Sequence, residues 1–160
     1  MSASSTSNAP RIVVGVDGSP SSRAAHRWAV RQAALTGGAA EAVIVRHAPT
    51  STGMIGGFGQ SPAETADEGV VADEARQRLD AIINEEVKPD DRNKVRARVF
   101  DGHPAEALMA AAADADLLAV GSRGHGGFAE VLLGSVGQYL VHHANCPVLI
   151  FRGDPRHLSA

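Results

Sequence analysis

The feature that most constrains the fold is a repeated change of period along the chain, from short β-branched runs to helical stripes and back. Arg11–Asp17 (RIVVGVD) is an apolar run closed by Asp-Gly-Ser-Pro, which predicts a strand buried on both faces. Ser19 followed by Pro20 is a helix start, hydroxyl at the N-cap and proline at the first helical position, and the helix runs to Gly37-Gly38. Glu41–His47 reads as a second strand. Val71, Ala75, Leu79 and Ile82 share one stripe of a second helix, which Lys88-Pro89 ends. In Val95–Asp101, Arg96 and Arg98 alternate with Val95, Ala97 and Val99, the pattern of a half-exposed edge strand. Pro104 opens a third helix with Ala105, Leu108, Met109 and Ala112 on one face. Leu117–Gly121, Gly134–His143 and Pro147–Phe151 complete the series as strand, helix and strand. Strand and helix alternate throughout. This predicts an α/β fold, an open five-stranded, mostly parallel sheet with helices on both faces, whose ligand site lies beyond the C-terminal ends of the strands.

Length and composition fit one such domain. The chain has 160 residues, 44% hydrophobic and 21% charged, enough to bury a core without disulfides or a structural metal. The domain is expected over residues 11–153, between a disordered tail at 1–10 and a short tail at 154–160. Its single cysteine, Cys146, forms no internal bridge, which suits a reducing cytoplasm. A net charge of −3 argues against a protein built to coat nucleic acid or an anionic membrane. Met1–Pro10 lacks the basic start and apolar run of a signal peptide, and no apolar stretch reaches the length of a membrane span. The expected location is cytoplasmic.

The most informative stretch is Gly121-Ser122-Arg123-Gly124-His125-Gly126-Gly127, followed after an apolar segment by Gly134-Ser135-Val136. Glycines around a strand-to-helix turn let backbone N–H groups approach phosphate oxygens, and a helix N-terminus adds a favourable dipole. Ser135 either donates to the same anion or is an ordinary N-cap; both readings stay open. A Walker A loop is excluded, because it needs a lysine after its spaced glycines and the chain's only lysines are Lys88 and Lys94. Gly124-His125-Gly126-Gly127-Phe128-Ala129 satisfies the dinucleotide fingerprint, but follows the fourth strand and lacks the acidic residue that the fingerprint places about 20 positions on.

Gly121-x2-Gly124-x9-Gly134-Ser135 resembles the ATP-binding signature of the universal stress proteins, and Val13-Val14-Gly15-Val16-Asp17-Gly18-Ser19 resembles that family's opening strand. Trp28-Ala29-Val30-Arg31, Asp116–Gly124 and Ala144-Asn145-Cys146-Pro147-Val148-Leu149-Ile150 extend the likeness over Arg11–Phe151. The resemblance implies a flavodoxin-like, adenine nucleotide α-hydrolase-like fold and an ATP site. By it, Asp17 contacts the ribose end, Gly15 and Val16 form the adjoining wall, and Ala48 faces adenine. Val120 and Gly121 close the pocket, and the phosphates lie on Gly124, Gly126, Gly127, Gly134, Ser135 and Val136, with Arg123 adding charge. Mg²⁺ or Mn²⁺ would bridge the phosphates to Ser135. Asp17 also fits an Asx turn that orders Gly18-Ser19. The resemblance further implies a homodimer through Val148–Phe151 and a nucleotide-dependent stress or dormancy regulator, with slow or no hydrolysis, acting on an unidentified protein partner.

Two alternatives remain at this level: a dimeric interaction module without nucleotide, and a small-molecule enzyme using FMN. The second is short of aromatic platforms, with only Trp28, Tyr139 and four phenylalanines. His26 departs from the apolar residue of several relatives, so the first helix is expected to pack less tightly or expose a polar face there. The loop Ala48–Glu64 reads as a lid, a partner-binding tip or a mobile connection. The seven histidines form no ligand set; His142 and His143 are adjacent and diverge by about 100° on a helix. His47, His103 and His125 lie near strand ends, where one could line the pocket.

Overall fold

A computed structural model describes residues 9–46, 68–122 and 133–152. Five strands, β1 (Arg11–Gly15), β2 (Ala39–Arg46), β3 (Val95–Asp101), β4 (Leu117–Gly121) and β5 (Val148–Phe151), alternate with helices α1 (Pro20–Thr36), α2 (Glu68–Glu86), α3 (Pro104–Ala111) and α4 (Ser135–His143). The sheet order is β3-β2-β1-β4-β5 and every neighbouring pair is parallel. The chain therefore steps outward from β1 to one edge, returns across it, and steps to the other. Right-handed crossovers then put α1 and α2 on one face and α3 and α4 on the opposite one.

Two cores follow. Ile12, Val14, Val16, Ala42 and Ile44 pack with α1 and α2, while Val13, Val43, Leu118 and Val120 pack with Leu108 and Leu140 of α3 and α4. The central strand β1 is buried over Ile12–Val14, as a two-sided apolar run requires. β3 alternates in burial and stands at the edge. The start of α1 is capped as its sequence dictates: Ser19 Oγ accepts from the Ser22 amide, a contact that contributes about 1 kcal/mol. At the other end Gly37 takes the left-handed conformation (φ 68°) of a helix C-cap.

His26 corrects the sequence expectation. It is completely buried, and α1 exposes no polar face at this position. The reason lies across the helix pair: His26 Nδ1 sits 2.8 Å from Glu86 Oε2, and the other Glu86 oxygen is 3.2 Å from Arg27 and 3.7 Å from Arg23. A charged residue at the end of α2 gives the buried imidazole its partner, so α1 keeps its close seat on the sheet. A 3-10 turn at Pro89–Lys94, between α2 and β3, was also not anticipated.

Candidate functional site

The strand order reverses between β1 and β4, and such a switch point opens a crevice at the carboxyl ends of the two strands. Eight of the residues singled out in the sequence gather there. Gly15, Val16 and Asp17 leave β1, Val120 and Gly121 end β4, and Gly134, Ser135 and Val136 open α4. Ala48, Arg123, Gly124, Gly126 and Gly127 lie outside the described residues, as do His47, His125 and the loop Ala48–Glu64.

On the β1 side, Asp17 Oδ1 accepts from the Ser19 amide at 2.9 Å and from Ser19 Oγ at 2.5 Å, the Asx turn foreseen for it. Gly18 completes that turn at φ 82°. Asp17 is thereby held half-buried at the lip of the crevice. Gly15 has a packing reason to be glycine, since a Cβ there would stand 3.1 Å from Leu108 Cδ1 and 3.3 Å from Val120 Cγ1. On the β4 side the fit is closer. A Cβ on Gly121 would lie 2.3 Å from Ser21 Oγ and 2.7 Å from the Ser22 amide nitrogen, so the start of α1 rests directly on the end of β4.

Ser122 joins the crevice to the next helix. Its amide donates to the Phe151 carbonyl at 2.6 Å, and its own carbonyl accepts from the Gly134 amide at 2.7 Å. Gly134, with φ −71° and ψ 167°, is the N-cap of α4, and Ser135 is the first helical residue. Of the two readings of Ser135 this removes the N-cap: Gly134 holds that place, the helix begins one residue earlier than a Ser135 cap would set it, and Ser135 is exposed in the first turn. It also assigns the Gly134 N–H to Ser122, so Gly134 offers a ligand space and not a donor. No side chain among the described residues caps α4. The first amides of α4, those of Ser135, Val136 and Gly137, thus receive no side-chain cap from the described residues, and a helix start of this kind is suited to an anion. Of the helices with a described start, α1 is capped by Ser19, whereas α3 and α4 have no side-chain cap.

Neighbouring polar residues escaped the sequence reading. Buried Ser21, Ser22 and Ser122 line the β4–α1 contact, and Arg46 Nη2 reaches Asp101 Oδ1 at 2.5 Å, tying the ends of β2 and β3. A serine-rich helix start carries no signal that separates these from solvent-facing caps.

Comparison with known proteins identifies the architecture. The model of the universal stress protein family matches residues 9–152. The chain belongs to the universal stress protein family. A universal stress protein of Mycolicibacterium smegmatis is 30% identical over 143 residues, which are 89% of this chain and 48% of that protein. One from Synechocystis sp. is 40% identical over 96 residues, 59% of this chain and 60% of the other. The chain spans about half the length of the mycobacterial relatives it matches. Among solved structures, the universal stress protein UspA from Lactobacillus plantarum has a TM-score of 0.70 at 22% identity, covering 89% of this chain and 97% of its own. A universal stress protein in complex with cAMP has a TM-score of 0.61 at 24% identity, covering 91% and 98%. One from Archaeoglobus fulgidus in complex with dAMP has 0.56 at 23%, covering 89% and 97%.

The remaining chemistry of this universal stress protein lies away from the crevice. A shallow depression of 280 Å³ between α3 and the far end of α4 is lined by Met109, Ala110, Ala112 and Ala144, with Glu106, His143 and Asn145 as its polar residues. No group of three or more metal-ligating side chains occurs among the described residues, and none of their helices is long and apolar enough to cross a membrane. Cys146 is half-buried against the α3–α4 core. Burial pushes its thiol up, the Asp116 carboxylate adds to the shift, and a backbone hydrogen bond at Leu118 opposes it. A raised thiol holds less thiolate at neutral pH. Alkylation by iodoacetamide at pH 7.5 is accordingly expected to be slower than for free cysteine, and to accelerate as pH rises; a rate matching free cysteine would contradict this.

Proposed function

We propose that this chain binds ATP in the β1–β4 crevice and acts as a nucleotide-dependent stress or dormancy regulator. The observation that supports the reading is the start of α4, which follows β4 beside the switch point and has no side-chain cap among the described residues, with Asp17 just beyond the end of the neighbouring β1. The cAMP and dAMP complexes of structurally similar proteins support an adenine nucleotide as the ligand class. In this reading Asp17 accepts from the ribose end, Gly15, Val16, Val120 and Gly121 wall the pocket, and Ala48 meets the base. Ser135 and Val136 hold the phosphates with Gly124, Gly126 and Gly127, and Arg123 offsets their charge. The exposed Ser135 hydroxyl fits Mg²⁺ or Mn²⁺ that arrives with the nucleotide, since such ions keep most of their waters and take few protein ligands. The test is to denature the purified protein and chromatograph what it releases. ATP in near-stoichiometric amount supports the reading; a flavin, or no nucleotide together with no binding of added ATP, overturns it.

Hydrolysis is expected to be slow. Fast phosphoryl transfer needs fixed positive charge at the γ-phosphate and a group that orients water, and around this loop the sequence offers Arg123, with no lysine, and only His125 and Glu130 as orienting groups. A single-turnover assay with Mg²⁺ should recover most ATP intact after many minutes; a rate of about 1 s⁻¹ or more would make the protein an enzyme first. We also propose a homodimer. β5 is an uncharged edge, Val148-Leu149-Ile150-Phe151, whose partly buried side chains and open backbone favour pairing with a second copy. Light scattering is expected to give twice the chain mass, and Leu149→Pro to give a monomer or an unfolded chain; a concentration-independent monomer would contradict the dimer.

A further inference from the structure

The two edges of the sheet are chemically opposite. β5 has no charged residue, whereas the stretch leading into and along β3 carries Lys88, Arg92, Lys94, Arg96 and Arg98 against Asp90, Asp91 and the terminal Asp101, which Arg46 answers, in a chain whose net charge is −3. β3 has a single neighbour, β2, so one row of its backbone N–H and C=O groups has no partner within the sheet. Its Val95, Ala97 and Val99 pack toward the α1–α2 core, which directs Arg96 and Arg98 to the other face.

These arginines are presented in a defined way. Arg98 Nη1 lies 2.7 Å from Glu41 Oε1, and its guanidinium stands 4.6 Å over the Phe100 ring, while keeping about half its surface in solvent (48%). Glu41 is itself buried and is held from the other side by Arg11 at 3.2 Å, which also donates to the Ala111 carbonyl at the end of α3. Arg96 is exposed and makes no ion pair or hydrogen bond among the described residues. Among the described residues Arg92 answers the side chain and carbonyl of Asn84, both neutral groups, and no carboxylate.

Cations on an edge strand suppress pairing with another copy of the same edge, because Arg96 and Arg98 would face their own kind. The same charges favour an extended chain with carboxylates at alternate positions. Repulsion of one partner and attraction of another is how an interface becomes selective. We propose that β3 is a docking edge for an acidic, extended segment of a partner protein, which adds beside β3 as a sixth strand and turns its carboxylates to Arg96 and Arg98. A nucleic acid fits less well. The patch is one strand wide, Lys94 already answers Asp91, Arg98 covers the aromatic ring on which a base would stack, and the rest of the chain is acidic.

The test uses the full chain and a fluorescein-labelled peptide of about ten residues that alternates glutamate with valine. Saturable binding that weakens with salt is expected, with slowed amide exchange over 95–101 and none over 148–151. Arg96→Glu, at an exposed position outside the core, should weaken binding about fivefold while leaving the melting curve unchanged. A peptide of equal charge interrupted by prolines, which cannot donate to a strand ladder, should bind about tenfold or more weakly. Equal binding of the proline peptide would reduce the site to loose charge attraction and overturn the proposal. So would protection elsewhere, tighter binding of a single-stranded oligonucleotide of similar length, or no binding of the acidic peptide.

Discussion

Gly134→Glu is expected to abolish ATP binding, raising Kd by about 100-fold or more, which is roughly 2.7 kcal/mol. Gly134 is fixed by the hydrogen bond its amide donates to the Ser122 carbonyl and stands immediately before the Ser135, Val136 and Gly137 amides, which no described side chain caps. A carboxylate introduced there can serve as the anion at the helix mouth itself, as acidic residues do at N-terminal turns, and it repels an incoming phosphate. The backbone (φ −71°, ψ 167°) is one that any residue adopts, so the fold should survive. Gly134→Ala separates the two effects: it adds bulk without charge and is expected to lose far less affinity. Isothermal titration of ATP into the folded variants checks this. Wild-type affinity in Gly134→Glu would move the phosphate site away from α4.

Gly121→Val should cost about 3 kcal/mol or more of stability, lowering Tm by roughly 6–12 °C. The added Cβ meets Ser21 Oγ and the Ser22 backbone at distances no real side chain tolerates, and backbone cannot rotate aside. Relief requires α1 to lift from β4, which also disturbs Asp17, whose amide donates to Ser22 Oγ at 3.3 Å. Stability and nucleotide affinity are therefore expected to fall together, unlike in Gly134→Glu. A melt within 1–2 °C of wild type, too small a shift for such a collision, would show that the α1–β4 approach is looser than the structure has it.

The architecture was legible because each element declares its own period. β1 reads as a two-sided apolar run and proves central; β3 alternates charge with valine and proves an edge; proline and glycine set the limits of α1. The proposed site was read from its glycines, and two of them have a structural reason visible in the fold: Gly121 lets α1 approach β4, and Gly134 donates to the Ser122 carbonyl. What escaped depends on residues distant in sequence. His26 looked like a polar intrusion because its partner, Glu86, is 60 positions away on another helix. Glu41 looked like the start of an ordinary strand, yet it is buried between Arg11 and Arg98 from the two flanking strands. Ser135 could be read either as a cap or as a donor, because a local pattern does not discriminate between neighbouring residues at a helix start; the cap is Gly134.

The most direct measurement of the proposed nucleotide site is a titration of the ¹⁵N-labelled chain with Mg·ATP, followed by backbone amide shifts. The largest shifts are expected at Ser135, Val136 and Gly137, with a second group at Asp17, Gly18 and Gly121 on the facing strand ends. Shifts absent from the start of α4, or concentrated instead around Met109 and His143 at the α3–α4 depression, would contradict it.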